Sequence, residues 1–176
     1  GGAAHLRPTS DRVREALFNI LAHGAHGGWP EGRRVLDLFA GTGALGLEAL
    51  SRGAERAVFV DDLGRARALI RENVERLGLI GQTKIWRRDA TRLGPCRGVP
   101  FDLVFADPPY RSGAGAAALA SALEGGWIAP GAVIVLELAA GEPVEVPTPL
   151  GIADSRTYGD TRLVIMTMPE EGGESQ

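Results

Sequence analysis

Asp107-Pro108-Pro109-Tyr110 follows directly on the apolar run Phe101–Ala106, and no other stretch of the chain carries so much potential chemistry. Proline cannot continue a sheet ladder, and it holds the backbone stiff. A strand ending on this tetrapeptide presents the Asp107 carboxylate and main-chain carbonyls as fixed acceptors beside the flat Tyr110 ring. Such a cup suits a planar group that carries an NH2. Upstream, Gly41, Gly43 and Gly46 have the G-x-G-x-x-G spacing after a second apolar run, Arg34–Phe39. Glycines so placed let the backbone approach a ligand, and Asp61 at the end of the next apolar run can accept ribose hydroxyls.

Those two features alone do not separate NAD from S-adenosylmethionine, since both carry an adenosine ribose. The acids around them decide it. Asp37 lies inside the first strand, four positions before Gly41, and a buried carboxylate there needs a partner. Asp89 closes the third strand, where it can accept an adenine amino group, and Asp107 stands at a fourth strand end. Four acids around one crevice would repel a diphosphate and attract a cationic sulfonium, so the expected cofactor is S-adenosylmethionine. Taken one at a time, each Asp could instead cap the helix that follows it. The conjunction with Asp-Pro-Pro-Tyr favours the binding role.

The elements that must position these residues are legible from periodicity. Thr9, Ser10 and Asp11 offer N-caps for a helix to about His23, with Val13, Leu17, Ile20 and Leu21 on its buried face. Strands are expected at Arg34–Phe39, Ala57–Val60, Thr83–Arg87, Phe101–Ala106 and Ala132–Leu136. Helices follow the first, second and fourth of these. They run to about Arg52, from Arg65 to Leu77 (buried face Ala66, Leu69, Ile70, Val74, Leu77) and over Ala114–Leu123. Two closing strands, Ile152–Arg156 and Leu163–Met168, are joined by Tyr158-Gly159-Asp160-Thr161. Strands alternating with helices predict a parallel α/β sheet covered on both faces, with a hairpin at one edge.

At 176 residues and a net charge of −3, the chain suits one domain, read as 1–169 with a frayed acidic tail over 170–176. Cys96 is the single cysteine, which excludes an internal disulfide, and no apolar stretch is long enough to span a membrane. A cytoplasmic protein, monomeric by default, fits best. His5, His23 and His26 show no metal-ligand pattern, so no metal is expected. Trp29, Trp86 and Trp127 read as packing residues, and Arg87, Arg88, Arg92 and Arg97 as a solvated edge.

With these motifs in place, the chain resembles the RsmD-type bacterial methyltransferases, which modify the N2 amine of a guanine in 16S ribosomal RNA. The resemblance is carried by Leu6–Leu21 (Leu-Arg-Pro-Thr-Ser-Asp-Arg-Val-Arg-Glu onward), Leu36–Leu50, Asp107–Tyr110 and Tyr158–Thr161. It implies a Rossmann-like class I methyltransferase sheet of seven strands, order 3-2-1-4-5-7-6, with the seventh antiparallel. The cofactor-binding set it implies is Thr9, Asp37, Ala40, Gly41, Gly43, Asp61, Asp62, Asp89 and Ala90. Asp107, Pro108, Pro109 and Tyr110 would be catalytic, while Arg7, Arg12, Arg14, Tyr110 and Arg111 would face the RNA. An arginine set like this can equally be a solvated face. The partner implied is 16S ribosomal RNA, at guanine 966, within a 30S assembly intermediate. Family members also carry a basic β-hairpin ahead of the Arg-Pro-Thr segment, for which this sequence has no counterpart. Competing readings are an amino-methyltransferase of DNA adenine or protein glutamine, an NAD-dependent oxidoreductase, and a non-catalytic RNA-binding factor.

Overall fold

The computed structural model describes residues 10–24 and 27–171. Among the described residues the chain forms seven strands and four α-helices: α1 Asp11–His23, β1 Arg34–Leu38, α2 Ala44–Ser51, β2 Arg56–Val60, α3 Gly64–Arg76 and β3 Thr83–Trp86. They continue with β4 Phe101–Ala106, α4 Ala114–Glu124, β5 Ile128–Ala139, β6 Gly151–Tyr158 and β7 Thr161–Thr167. The sheet order is β3-β2-β1-β4-β5-β7-β6, as the resemblance implies. β1 to β5 run parallel, and β7 pairs antiparallel with both β5 and β6.

Burial on both faces explains the near-continuous apolar runs of the central strands. On one face α1, α2 and α3 pack against Val35, Phe59, Leu103 and Phe105. The other face holds Leu36, Val58, Val104 and Ile134 under α4, with the helix-free segment 87–100 beside it. This second face therefore has thinner cover over β2 and β3.

Local chemistry fixes the helix that opens the described chain. Ser10 caps α1, its Oγ accepting from the Val13 N–H at 3.2 Å. Val13, Leu17, Phe18 and Leu21 are its buried stripe, so Phe18 takes the place expected of Ile20. On α3 the buried stripe is Ala66, Ile70 and Val74; Leu69 and Leu77 are exposed, contrary to expectation. The narrow four-residue spacing leaves them outside the arc that meets the sheet.

Strand boundaries also differ, by a residue or two at β1, β2 and β7 and more tellingly elsewhere. β3 stops at Trp86, because the chain turns away before Arg87, and Asp89 therefore lies in the following loop. β5 starts at Ile128 rather than Ala132, since a register shift between its Phe101 and Leu103 pairings absorbs Pro130 and Gly131. β6 runs over the whole of Gly151–Tyr158 as a polar edge strand. Trp29 and Trp127 are buried, as packing residues should be, while Trp86 is half-buried. Glu170 and Glu171 are exposed, and the rest of the expected tail, like Arg7, Thr9 and His26, lies outside the described residues. Among the described residues no helix is long and apolar enough to cross a membrane, and no acid, histidine and cysteine cluster could hold a metal ion.

Candidate active site at the carboxyl edge of the sheet

The register aligns Leu38 with Val60 on one side and with Ala106 on the other, and Val60 with Trp86. Four strands thus end together, and the turns leaving them share one edge. β1 and β4 are neighbours although they are distant in sequence, so this is the point where the strand order reverses. Open α/β sheets bind ligands at that crevice.

The glycine turn leaves β1 through Phe39, which adopts a left-handed φ of 55°. Ala40 is held to β2 by its N–H bond to the Val60 carbonyl at 3.1 Å, and Gly43 closes the turn on the Ala40 carbonyl at 2.8 Å. Asp61 staples the turn from the neighbouring strand. Its Oδ2 accepts from Gly41 N–H and its Oδ1 from Leu63 N–H, each at 2.9 Å. Gly41 and Gly43 have φ of 59° and 81°, which side chains resist. Gly46 has a different task. A Cβ there would stand 2.5 Å from Phe59 Cε1, so this glycine lets α2 press on β2.

Asp37 sits beneath the turn, only 2 % exposed. Its Oδ2 accepts from the Gly46 N–H at 3.0 Å, which is the partner a buried carboxyl requires. Burial pushes its pKa from 3.8 up to about 8; the Gly46 bond opposes that rise, and the nearby Asp61 charge adds to it. At neutral pH the group is therefore mostly protonated until a positive charge arrives.

The other acids are less enclosed. Asp62 and Asp89 are exposed, whereas Ala90 is buried. Asp89 Oδ1 is held by the Thr91 hydroxyl at 2.7 Å and the Thr91 N–H at 2.9 Å, and these bonds keep its carboxyl below the usual range. Its Oδ2 makes no hydrogen bond to the described residues, so the loop leaves one acceptor facing outward from the chain's own bonding.

The second corner leaves β4. Asp107 N–H points to the Leu38 carbonyl at 3.4 Å, tying this corner to the end of β1. Pro108 is buried and Pro109 exposed. Gly115 lets α4 approach Pro108, because a Cβ at that position would lie 2.8 Å from Leu136 and 3.3 Å from Pro108. Ser112 Oγ donates to the Pro109 carbonyl at 2.7 Å and accepts from Ala114 N–H at 3.1 Å, which sets the turn into the helix. No described main-chain N–H donates to the Pro108 carbonyl, so that acceptor stays available. Arg111 has a left-handed φ of 58°. Among the described residues Phe39 and Arg111 are the non-glycine positions with positive φ, one in each corner. Backbone strain of this kind gathers at functional sites.

Tyr110 is anchored through its hydroxyl. It lies 3.1 Å from Glu137 Oε2 and 2.9 Å from Thr161 Oγ1. With one proton to give, the phenol donates to Glu137 and accepts from Thr161. Neither anchor stands among the candidate site residues, although Thr161 closes the Tyr158–Thr161 motif. The signal for Glu137 was there: one acid inside the apolar run Ala132–Leu138, and 6 % exposed in the fold. A lone charge in a strand covered on both sides needs a polar partner.

The expected RNA-facing arginines divide. Arg12 and Arg111 are exposed. Arg14 instead pairs with Asp11 at 2.8 Å and with Glu48 at 3.6 Å, bracing α1 on α2. Glu48 also holds Arg52 at 2.7 Å, so its role is local pairing.

Comparison with known proteins places the chain among methyltransferase relatives. The family model described as Conserved hypothetical protein 95 matches residues 2–167. Ribosomal RNA small subunit methyltransferase D of Escherichia coli is 38 % identical over 134 residues, covering 75 % of this chain and 64 % of its own length. YlbH of Bacillus subtilis is 42 % identical over 108 residues, 60 % of this chain and 56 % of its own. The chain thus matches less than two thirds of the length of these two relatives. The Haemophilus influenzae small subunit methyltransferase D is 32 % identical over 157 residues, 88 % of this chain and 79 % of its own. Among solved structures, yhhF from Escherichia coli superposes with a TM-score of 0.78 at 32 % identity, covering 94 % of this chain and 89 % of the other. A match across nearly the whole sequence, on the fold and strand order that its motifs imply, means that the chain belongs to the Conserved hypothetical protein 95 family, the RsmD-type family.

Proposed function

We propose that this chain transfers a methyl group from S-adenosylmethionine to the exocyclic N2 amine of a guanine in 16S ribosomal RNA. By resemblance the target is the guanine at position 966, met within a 30S assembly intermediate in the cytoplasm by a monomeric enzyme of one domain, 1–169. The observation that carries the reading is the joining of two corners. The Asp107 N–H leans on the Leu38 carbonyl, so the acceptor cup and the glycine turn leave adjacent strand ends. Relatives named for small-subunit ribosomal RNA methylation support the choice of substrate.

The donor set fits a cationic cofactor. Asp61 beside Gly41 would take the ribose hydroxyls, and Asp89 the adenine amino group. Asp37, Ala40, Gly43, Asp62 and Ala90 would complete the wall, with Thr9 over it. When bound, S-adenosylmethionine supplies an electrophilic methyl on a sulfonium sulfur. The residues of the chain do the rest by positioning and charge. An exocyclic guanine amine is a poor nucleophile, because its lone pair is delocalised into the ring. The Asp107 carboxylate and the Pro108 carbonyl accept its two hydrogens, which favours a pyramidal nitrogen with a localised lone pair. Asp107 would also take the released proton. Tyr110, pinned at its hydroxyl, offers its ring for stacking on the base. Arg12 and Arg111 extend the rim toward RNA phosphates.

The test incubates the chain with labelled methyl donor and 16S RNA, 30S particles, DNA and total protein, then maps the modified position. Label in N2-methylguanine of 16S RNA is expected. Label confined to adenine or to protein glutamine would replace this reading with another amino-methyltransferase.

A further inference from the structure

A second cleft lies on the thinly covered face, reaching from the amino ends of β1 and β2 to the end of β3. Arg34 and Arg56 begin β1 and β2 as cross-strand neighbours, and Lys84 pairs with Val58 on the next strand. Alternation along the strands sends Arg34, Arg56, Lys84 and Trp86 to the same face as Leu36 and Val58. No helix covers them, because 87–100 crosses from β3 to β4 as a loop. The result is a cleft of about 340 Å³ lined by these residues together with Arg88 and Arg97, floored by Phe101 and Trp127.

Its chemistry is one-sided. Five cations line it, no acid does, and none of the five forms an ion pair among the described residues. Among the described residues Asp102 accepts from the Arg34 main-chain N–H, at 3.0 Å, and not from its guanidinium. The chain as a whole carries −3, so this concentration is not a reflection of composition. The Arg34 Nε is buried without a hydrogen-bond partner. Aromatic rings are interleaved with the charges. Arg88 lies 4.9 Å over Trp86 and 5.7 Å over Trp127, while its Nη1 donates to the Leu93 carbonyl at 2.7 Å. Arg34 lies 5.3 Å over Phe101.

We propose that this cleft binds the phosphodiester backbone of a single-stranded RNA segment, outside the catalytic crevice. Sites of this type combine a positive groove with aromatic and guanidinium planes. Neighbouring strands are about 4.8 Å apart, so Arg34, Arg56 and Lys84, on three strands, suit successive phosphates better than one isolated anion. Choosing RNA among polyanions rests on the ribosomal RNA reading above. Arg34, Arg56 and Phe101 open their strands and Lys84 is the second residue of β3, so RNA held on them leaves the Asp107 corner, at the opposite end of β4, free for the target base. The expected arginine edge after β3 thus divides, with Arg88 and Arg97 in the cleft and Arg87 and Arg92 outside it.

The test uses the full chain and the double variant Arg56→Gln, Lys84→Gln, with a labelled single-stranded RNA oligonucleotide titrated across a salt series. Affinity should fall roughly tenfold or more, and the salt slope by about 1.4, two contacts at about 0.7 each. S-adenosylmethionine binding should stay unchanged, which also reports an intact fold. Cys96, the single cysteine, lines the cleft, so RNA should slow its modification by a maleimide. Unchanged affinity and slope in the double variant would overturn the proposal. So would RNA that leaves the Cys96 rate untouched, or an oligoglutamate peptide that protects it as well as RNA does. RNA binding that depends on Arg56 and Lys84 supports the cleft whether or not methyl transfer is seen, which keeps its fate separate from that of the proposed function.

Discussion

Replacing Asp37 with Asn tests the electrostatic state of the cofactor crevice. Asn is nearly isosteric and can accept from Gly46 N–H as the carboxyl does at 3.0 Å, but it cannot ionise. In the folded chain burial raises the Asp37 pKa to about 8, against 3.8 ordinarily. The folded state therefore holds this proton more tightly than the unfolded state. Its stabilising effect is complete below about pH 4 and is lost as pH rises toward 8. At about 1.4 kcal/mol per pH unit, the interval amounts to on the order of 5 kcal/mol. Urea unfolding of both proteins at several pH values isolates this contribution, because the other groups cancel in the difference. Wild-type stability minus that of Asp37→Asn should fall by several kcal/mol between pH 4 and pH 9. A flat difference would refute the reasoning, since it would mean that Asp37 is equally ionised folded and unfolded.

Binding of the cationic donor should make Asp37 release its proton, so calorimetry at pH 7 in buffers of different ionisation enthalpy should show proton release, and Asp37→Asn should reduce it. Gly46→Ala forces a Cβ to within 2.5 Å of the Phe59 ring; a loss of about 1–3 kcal/mol in urea unfolding is expected. Asp107→Ala should lower methyl transfer by roughly 10²-fold with donor binding largely retained, measured by single-turnover assay and titration. Tyr110→Phe removes the hydroxyl bonded to Glu137 and Thr161 and should cost about 1 kcal/mol of stability, whereas Tyr110→Ala should also depress RNA turnover.

Periodicity in the sequence was enough to place the parallel strands, because residues such as Val35, Leu36, Val104 and Phe105 are apolar on both faces and bounded by turn residues. The turns of the candidate site were legible where conformation restricts residue choice, as at Gly41, Gly43 and the Pro108-Pro109 corner. Partners distant in sequence were not. Nothing local in Tyr110 announces Thr161, 51 positions away, or Glu137 across the sheet. Leu69 and Leu77 misled because helical spacing does not say how wide an arc the sheet will cover. Asp89 misled in a similar way: its spacing placed it at a strand end, yet β3 finished three residues sooner.

The bond from Tyr110 to Thr161 has a bearing on biosynthesis. β7 is the last strand of the sheet to be made, and Thr161 is its first residue. A nascent chain halted before that point can already close the glycine turn on Asp61, yet it lacks the bond that joins the Tyr110 hydroxyl to Thr161. Capacity to hold the donor should therefore precede capacity to hold the base during translation, and stalled chains of increasing length would display that order.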